Sequence, residues 1–290
     1  MDCILFADRD ALRAEETVTP QVKKTQKTSP QFLRLTRDSN RTPLTLETAV
    51  VRYTSSHEKN SDLTVDLVAA IHIADKSYYQ QINRELKTYD AVLYELVATE
   101  ESKTPHPNDR ESHHPLSLVQ NGMKDLLGLE FQLKGIDYTC NNMIHADMSP
   151  DQFAQSMQQR GESLTTMFVR MVGYALARQN AANGQQSSQI LLAFFDKNRT
   201  LKLKRIVAEE FEDGEDSMAA LEGPTGSTLI TGRNQVALEV LRKEIAAGKK
   251  KIAIFYGAAH MPDFQKHLQA EFGLAPTDTR WLVAWNLKSE

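Results

Sequence analysis

The chain has 290 residues, of which 41% are hydrophobic, and its formal net charge at pH 7 is −4. This length predicts one or two domains with enough apolar residues for a sizeable core. The mild acidity, and the lack of a basic run interleaved with aromatic residues, argue against a nucleic-acid-binding protein. No stretch reaches the roughly 18 consecutive apolar residues of a membrane helix.

The cysteine count and the first residues bear on the cellular compartment. Cys3 and Cys140 are too few for a disulfide framework and lack the spacing of a metal site. The opening MDCILFADRDALR does not have the basic and then apolar pattern of a secretory leader. The sequence is therefore typical of a cytoplasmic protein, although an exported protein whose leader had been removed would look the same.

The N-terminal part of the chain precedes the predicted α/β domain. Residues 1–42 are polar, and we expect them to form a separate segment before a single domain of residues 43–290. A strand is predicted over Thr45–Thr54, and the polar link after it predicts a hairpin with the next strand. That next strand is the apolar run Leu63–Ile71, whose composition suits a strand buried on both faces.

A strand–helix–strand unit gives the first indication of a site. Asp75 can cap a helix, and a second apolar run, Ala91–Val97, follows that helix. Two strands joined by one helix should be parallel, with a right-handed crossover. His72 and Glu95 lie near the ends of the two strands, at the carboxyl edge where open α/β sheets place their ligands.

The residues from 115 to 215 have a mostly helical pattern, which predicts a helical insertion within the domain. Ser149 and Pro150 provide a cap and a first-turn proline for a helix that could run to about residue 182. The run 190–195 is apolar enough for a strand, but we interpret it as helical, like the segment 203–211. We interpret the preceding loop, which contains His106, His113 and His114, as a solvated surface loop rather than a metal site.

A glycine-rich loop precedes a further helix near residue 233. Five residues separate Gly226 from Gly232, and Arg233 follows where a phosphate-binding loop requires Lys, so we reject nucleotide binding. Arg233 and Asn234 lie in the first turn of the helix, where exposed backbone amides favour anions. An Arg at this position is either a surface residue or part of a site, and both interpretations stay open here.

A second histidine has the same sequence context as the first. The run Ile252–Ala259 predicts a buried strand that ends at His260, and Pro262 begins the next helix. His72 and His260 therefore each follow a buried strand and precede a helix. Together with Glu95, they are candidate ligands for zinc, manganese or a related ion, and also a candidate general-base set.

These residues resemble the TraB/PrgY–TIKI–GumN family. The family is marked by two Gly-x-x-His motifs, a glutamate that ends the second strand, and an Arg-Asn-type pair before the last motif. The second motif is complete as GAAH, ending at His260, whereas the first is AAIH, with Ala69 in place of glycine and ending at His72. The resemblance covers about residues 46–274.

The resemblance implies an α/β fold and a metal-dependent hydrolase that acts on peptide bonds. His72, Glu95 and His260 would bind a divalent ion of the manganese, cobalt or zinc type, and this ion would acidify a bound water. Glu130, in GLEFQLKG, would be a fourth ligand or the general base. Asp147, in HADMSPDQF, matches a later aspartate of the family.

The resemblance also implies roles for the Arg-Asn pair and leaves other functions open. Arg233 would stabilise an oxyanion or bind a substrate carboxylate, and Asn234 would orient either group. One alternative is a peptide-binding protein without turnover, of the kind that shuts down peptide pheromones. Another is a haem-binding or iron-binding relative of the same broad fold. We expect a peptide or protein as partner; the oligomeric state, a homo-oligomer included, stays open.

Overall fold

The computed structural model describes residues 31–55, 62–105, 127–163, 196–221 and 226–289. All of these residues belong to one compact unit, Gln31–Glu290. The predictions for the three loop histidines, for the helical pattern of residues 115–126 and for the segment 190–195 therefore lie outside the described residues. None of the helices among the described residues is long and apolar enough to cross a membrane.

The strands of the described residues belong to two sheets. Seven of them form the central sheet, and β4 and β6 form a separate two-stranded sheet. In chain order the strands are β1 Leu33–Arg37, β2 Pro43–Ser55, β3 Thr64–Ala70, β4 Ile73–Ala74, β5 Ala91–Tyr94, β6 Glu130–Phe131, β7 Met143–His145, β8 Lys251–Gly257 and β9 Leu274–Asn286.

Six α-helices accompany the sheets in the described residues. They are α1 Lys76–Leu86, α2 Gln132–Gly135, α3 Pro150–Gln159, α4 Arg199–Leu221, α5 Arg233–Ala246 and α6 Met261–Phe272. A π-helical turn, Thr228–Gly232, leads directly into α5, and a 3-10 turn, Ala258–His260, joins β8 to α6. The predicted α/β fold, with a mixed, largely parallel sheet and flanking helices, is confirmed.

The central sheet joins an antiparallel part to a parallel part. Its order is β1-β2-β3-β8-β5-β7, and β9 pairs along β2 as well. The strands β3, β8, β5 and β7 are mutually parallel, whereas β1, β3 and β9 each pair with β2 in antiparallel orientation. The strands β3 and β5 are parallel, as the strand–helix–strand pattern predicted. They are not neighbours, because β8 lies between them.

Five strands of the described residues, β1, β4, β6, β7 and β9, were not predicted from the sequence. β1 lies within residues 1–42, which we expected to be a polar segment, and it pairs with β2. β6 and β7 lie within residues 115–215, where the pattern predicted mostly helices, and β7 extends the central sheet beside β5. β9 follows the last predicted helix. β6 and β7 are too short, at two and three residues, to show a period of two in the sequence.

The helix that begins after Ser149 has the predicted start but a different end. Ser149 Oγ accepts from the backbone N–H of Gln152, and Gln152 Oε1 accepts from the backbone N–H of Ser149. This reciprocal capping box satisfies two backbone donors at the start of α3. The helix ends at Gln159, not near residue 182, and Gly161 follows in the left-handed region at φ 64°.

The central sheet has an apolar layer on each face. Helices α1 and α4 contribute to one layer, which includes Tyr78, and helices α5 and α6 contribute to the other, which includes Phe264. Successive residues of β3 alternate between the layers, with Val68 in the first and Leu67 in the second. Burial on both faces explains the near-continuous apolar run in this part of the sequence.

Candidate functional site

The ends of three neighbouring parallel strands bring the candidate residues to one edge of the sheet. In the register of β3 and β8, Ala70 pairs with Gly257, so His72 and His260 follow at the same edge. Glu95 directly follows β5, the next strand beyond β8. This is the carboxyl edge of the parallel strands, where open α/β sheets bind their ligands.

A buried ion-pair cluster lies at this edge. Arg233 donates through Nε and Nη2 to Asp147 Oδ1 and Oδ2 at 2.9 and 2.5 Å, and through Nη2 to Glu95 Oε1 at 2.8 Å. The side chains of Arg233, Glu95 and Asp147 are 9%, 9% and 0% exposed. Arg233 is therefore not a surface residue, and its contact with Asp147 is bidentate.

Both carboxylates also accept hydrogen bonds from backbone N–H groups. Gly257 N–H donates to Glu95 Oε2 at 2.7 Å, and Met148 N–H donates to Asp147 Oδ1 at 2.7 Å. Buried carboxylates are tolerated only when their charge is balanced and their oxygens are hydrogen-bonded. One guanidinium faces two carboxylates here, so a proton on a neighbouring imidazole would make the cluster neutral.

The surroundings of Glu95 hold it in its ionised form. Burial by itself raises the pKa of this carboxyl. The interaction with His260, and the positive charges of His260, Arg233 and His72, outweigh burial and lower the pKa of Glu95 well below its ordinary value. Glu95 is therefore an anion at neutral pH and acts as an electrostatic partner rather than as a proton donor.

The imidazole of His260 is fixed by Asn234. His260 Nδ1 lies 2.6 Å from Asn234 Oδ1, while Asn234 Nδ2 donates to His260 O at 3.1 Å and to Asp263 Oδ2 at 2.8 Å. Because the amide nitrogen has two acceptors, the amide oxygen is the acceptor for an N–H on Nδ1. His260 Nε2 then lies 3.5 Å from Glu95 Oε1, in a position that is 4% exposed.

The imidazole of His72 has a similar partner in a different setting. His72 Nδ1 lies 3.2 Å from Gln132 Oε1, and Gln132 Nε2 donates to the hydroxyl of Tyr138 at 3.1 Å. The backbone N–H of Gln132 also donates to His72 O at 2.8 Å. His72 is exposed, whereas Gln132 is 4% exposed. The Nε2 atom of His72 has no partner among the residues that the structure describes.

The structure brings some of the predicted site residues together and leaves others apart. Glu95, Arg233, Asp147, His260 and Asn234 form one connected network. His72 lies at the same edge and contributes its charge to the pKa of Glu95, but its hydrogen bond is to a different residue, Gln132.

Glu130 is not part of this network. It pairs with Ala74 across β4 and β6, and within the described ranges no hydrogen bond or ion pair joins it to Glu95, Arg233 or His260. Its predicted role as ligand or general base therefore has no contact in its support. Gln132, two residues further on, contacts His72 instead.

Three residues of the site were missed by the sequence analysis. Gln132, Tyr138 and Asp263 orient the two histidines directly or through one further residue. The amide of Gln132 does not titrate, and Tyr138 and Asp263 reach the two histidines through Gln132 and Asn234, so no sequence motif marks these three residues. The available signal for Gln132 was its position in the same short segment as Glu130.

The arrangement can be compared with what a divalent ion requires. His260 Nε2 and Glu95 Oε1 are close enough to be two ligands, but a catalytic zinc site usually has three protein ligands. No group of three or more His, Cys, Asp or Glu side chains in the described part of the chain could hold a metal. The Arg233 guanidinium also occupies the same Glu95 oxygen. As arranged, these residues do not fit the expected ion, and the metal stays a prediction.

The fold and site define an α/β protein with a buried charged network at the carboxyl edge of its parallel strands. Comparisons with protein-family models, with curated proteins and with solved structures found no match to this chain. The resemblance to the TraB/PrgY–TIKI–GumN family therefore stays a prediction.

Proposed function

We propose that this protein is a hydrolase whose reaction takes place beside His72, with a peptide or a related carbonyl compound as substrate. The observation that supports this proposal is the Nδ1 of His72, fixed by Gln132 at the same sheet edge as an ionised Glu95. Gln132 Oε1 binds the Nδ1–H, so a neutral His72 carries its lone pair on the exposed Nε2. An imidazole with that tautomer and exposure suits a general base.

In this proposal His72 removes a proton from the attacking water. The water oxygen forms a bond to the carbonyl carbon while its proton moves to His72 Nε2, which gives an imidazolium and a tetrahedral oxyanion. The imidazolium then returns the proton to the leaving amine as the carbon–nitrogen bond breaks. The charge of His72 lowers the pKa of Glu95. Glu95, an anion at the same sheet edge, attracts the imidazolium that forms in the reaction.

Arg233 has a positioning role in this proposal. Its Nε and Nη2 atoms donate to Asp147 and Glu95, and its side chain is buried. It therefore holds the Glu95 carboxylate at the strand end rather than binding the substrate oxyanion. Asn234 has the same relation to His260, which it orients toward Glu95.

A peptide-binding protein without turnover is the second candidate. This candidate is favoured by the hydrogen bonding of the charged network. Glu95 and Asp147 both accept from Arg233, and Glu95 also accepts from a backbone amide. These side chains therefore have hydrogen-bond partners without a substrate, and they can form a rigid surface on which a peptide binds. The two candidates differ in whether His72 transfers a proton.

The test is a cleavage assay on a mixture of fluorogenic peptides. It compares the wild-type protein with His72→Ala and with the control His267→Ala, which removes a partly exposed histidine of α6. We expect His72→Ala to lower turnover by about 100-fold or more, the usual contribution of a general base, and the control to retain full activity.

Three outcomes of this assay would change the proposal. A fully active His72→Ala protein would remove His72 from the mechanism. Saturable peptide binding without cleavage would favour the binding protein. Assays with a chelator, and with added manganese, cobalt or zinc, test the metal prediction separately: activity that depends on one of these ions would show that the ion takes part.

A further inference from the structure

A polar depression lies at the other end of the parallel strands from the candidate hydrolase site. Lys251 begins β8 and Tyr89 precedes β5, so this depression is at the amino edge, away from the candidate hydrolase site. Positively charged side chains predominate in its lining. The lining residues are Arg52, Arg84, Lys251, Arg280, Glu85 and Tyr89, together with Gln81 and Thr88.

The floor of the depression is built on a buried carboxylate. Asp66 has a side chain that is 1% exposed, and it accepts two hydrogen bonds from Arg52, each of 2.9 Å. The hydroxyl of Tyr89 donates to Asp66 Oδ2 at 2.6 Å. Burial, and then the charge of Asp66, raise the pKa of Tyr89, so its hydroxyl keeps its hydrogen. The two hydrogen bonds to Asp66 therefore fix the position of the Arg52 side chain.

Two further positive groups are held in place around this floor. Lys251 Nζ donates to Thr88 O at 3.1 Å and to Thr88 Oγ1 at 2.9 Å, and it lies 4.7 Å from the centre of the Tyr89 ring. Arg280 donates to Glu85. These partners already order the side chains of Lys251 and Arg280. A ligand would therefore lose less free energy in ordering them, which favours binding.

The charges of the depression do not balance. Four positive side chains, Arg52, Arg84, Lys251 and Arg280, face three carboxylates, Asp66, Glu85 and the Asp278 opposite Arg52, which leaves an excess of 4 − 3 = 1 positive charge. Arg84 is exposed and has no hydrogen-bond or ion-pair partner among the described residues. The excess lies in one open depression, where it would attract an anion.

We propose that this depression binds a phosphate group. A phosphate group carries a charge of about −1.5 to −2 near neutral pH, so the positive excess and the exposed Arg84 would attract it. Arginine presents a planar fork that suits phosphate oxygens, and lysine adds a point charge. The phosphate group belongs either to inorganic phosphate or to a phosphate monoester on a small molecule, and the probes below distinguish the two sources.

The test is calorimetric titration of the full-length protein at low ionic strength. Inorganic phosphate and phenyl phosphate are the two probes, and sodium chloride at matched ionic strength is the blank. The variants are Arg84→Gln and Lys251→Gln. The matched control is Arg242→Gln, because Arg242 is an exposed arginine that pairs with a glutamate outside the depression. A thermal melt of each variant checks folding.

We expect saturable binding of phosphate by the wild type and a roughly tenfold weaker affinity in each of the two variants, as for the loss of one charged hydrogen bond. The Arg242→Gln control should bind like the wild type. Tighter binding of phenyl phosphate would assign the site to phosphate monoesters, and tighter binding of inorganic phosphate would assign it to the free ion.

Two results would overturn the proposal. The first is the absence of saturable binding of either probe by the folded wild type. The second is equal affinity in Arg84→Gln, Lys251→Gln and Arg242→Gln, which would show that the phosphate binds elsewhere. In the part of the chain that the structure describes, Arg84 has no partner whose loss would disturb the fold, so its variant remains informative even if Lys251→Gln is unstable.

Discussion

The regions around His72 and around His260 use the same hydrogen bond in different surroundings. In each region the imidazole Nδ1 faces a carboxamide oxygen, from Gln132 at 3.2 Å or from Asn234 at 2.6 Å. His260 is buried and adjoins an ionised carboxylate, whereas His72 is exposed. Two histidines with the same sequence context therefore differ in access to solvent, and we expect them to differ in role.

The physical reason lies in the surroundings of each imidazole. Charges act over longer distances and with greater strength where water is excluded, so removing a group near His260 should affect folding. The imidazole of His72 is itself exposed to solvent, so a change beside it should affect the reaction more than the fold. The following changes test this division, from the largest expected effect to the smallest.

Removal of the Arg233 charge should have the largest effect on folding. Arg233→Met leaves Glu95 and Asp147 buried without their cation, and breaking a buried pair in this way typically costs about 3–5 kcal/mol. Urea unfolding measures the loss. The control is Arg242→Met, an exposed pair that should change the free energy of unfolding by about 0.5 kcal/mol or less. Equal effects of the two variants would contradict the buried role of Arg233.

Loss of the amide beside His260 should come next. Asn234→Ala removes the partner of His260 Nδ1, of His260 O and of Asp263. Buried polar groups without partners typically cost about 1–3 kcal/mol, so we expect a decrease of about 2–3 kcal/mol in the free energy of unfolding. Chemical denaturation provides the measurement. A loss of activity in a protein of wild-type stability would instead assign Asn234 a role like that of Gln132.

The corresponding change beside His72 should affect turnover more than stability. Gln132→Ala frees the imidazole to rotate, and we expect kcat to fall by about tenfold to 100-fold with about 1 kcal/mol lost from the free energy of unfolding. Gln132→Glu retains an acceptor oxygen for Nδ1 and should retain more activity than Gln132→Ala. If the two variants have equal kcat values and equal stability losses, the residue has only a structural role.

The pH dependence of stability separates the two histidines. A carboxyl whose pKa is lowered on folding stabilises the protein above its unfolded pKa, near 4.5, and this contribution is lost as the pH falls through the folded value. We therefore expect the free energy of unfolding to fall below about pH 4.5. His260→Ala should reduce this dependence more than His72→Ala, because His260 has the greater influence on the pKa of Glu95. Denaturation curves at a series of pH values measure both.

The smallest change in stability should come from substitutions that give β3 and β8 the same residue three positions before their histidines. Ala69 lies three residues before His72, and Gly257 lies three residues before His260. A Cβ atom on Gly257 would lie 3.3 Å from Glu95 Oε2, so Glu95 must shift slightly. We expect Gly257→Ala to cost about 1 kcal/mol, the low end for overpacking. A thermal melt of this variant, beside one of Ala69→Gly, makes the comparison.

The elements that could be predicted from the sequence are those with a local signal. The strands β3 and β8 are long and buried on both faces, and α1 and α6 show a helical period, so each is recognisable by itself. β7 has three residues and is defined by its pairing with β5. The first half of β9 is largely exposed, so it lacks a continuous apolar run. Both depend on contacts with residues distant in the sequence.

The same distinction applies to the site. The histidines and Glu95 follow recognisable strands, so their common edge could be predicted before any contact was known. Gln132 reaches His72 because β4 pairs with β6. These two strands have only two residues each, so no periodic pattern in the sequence predicts their pairing. Glu130 was expected in the site because the short segment GLEFQLKG resembles a family motif. Such a resemblance does not determine which residues a side chain contacts.

The central position of β8 has a consequence for how the chain can be made. Val65 pairs with Ile252, 252 − 65 = 187 residues later, and Ala91 pairs with the same residue from the other side. While the ribosome is still adding the residues before Lys251, β3 and β5 have no strand between them, and each exposes an unpaired apolar edge. Such edges promote aggregation, and closure over this distance is slow. We therefore expect nascent chains and C-terminal truncations that end before β8 to require chaperones to stay in solution.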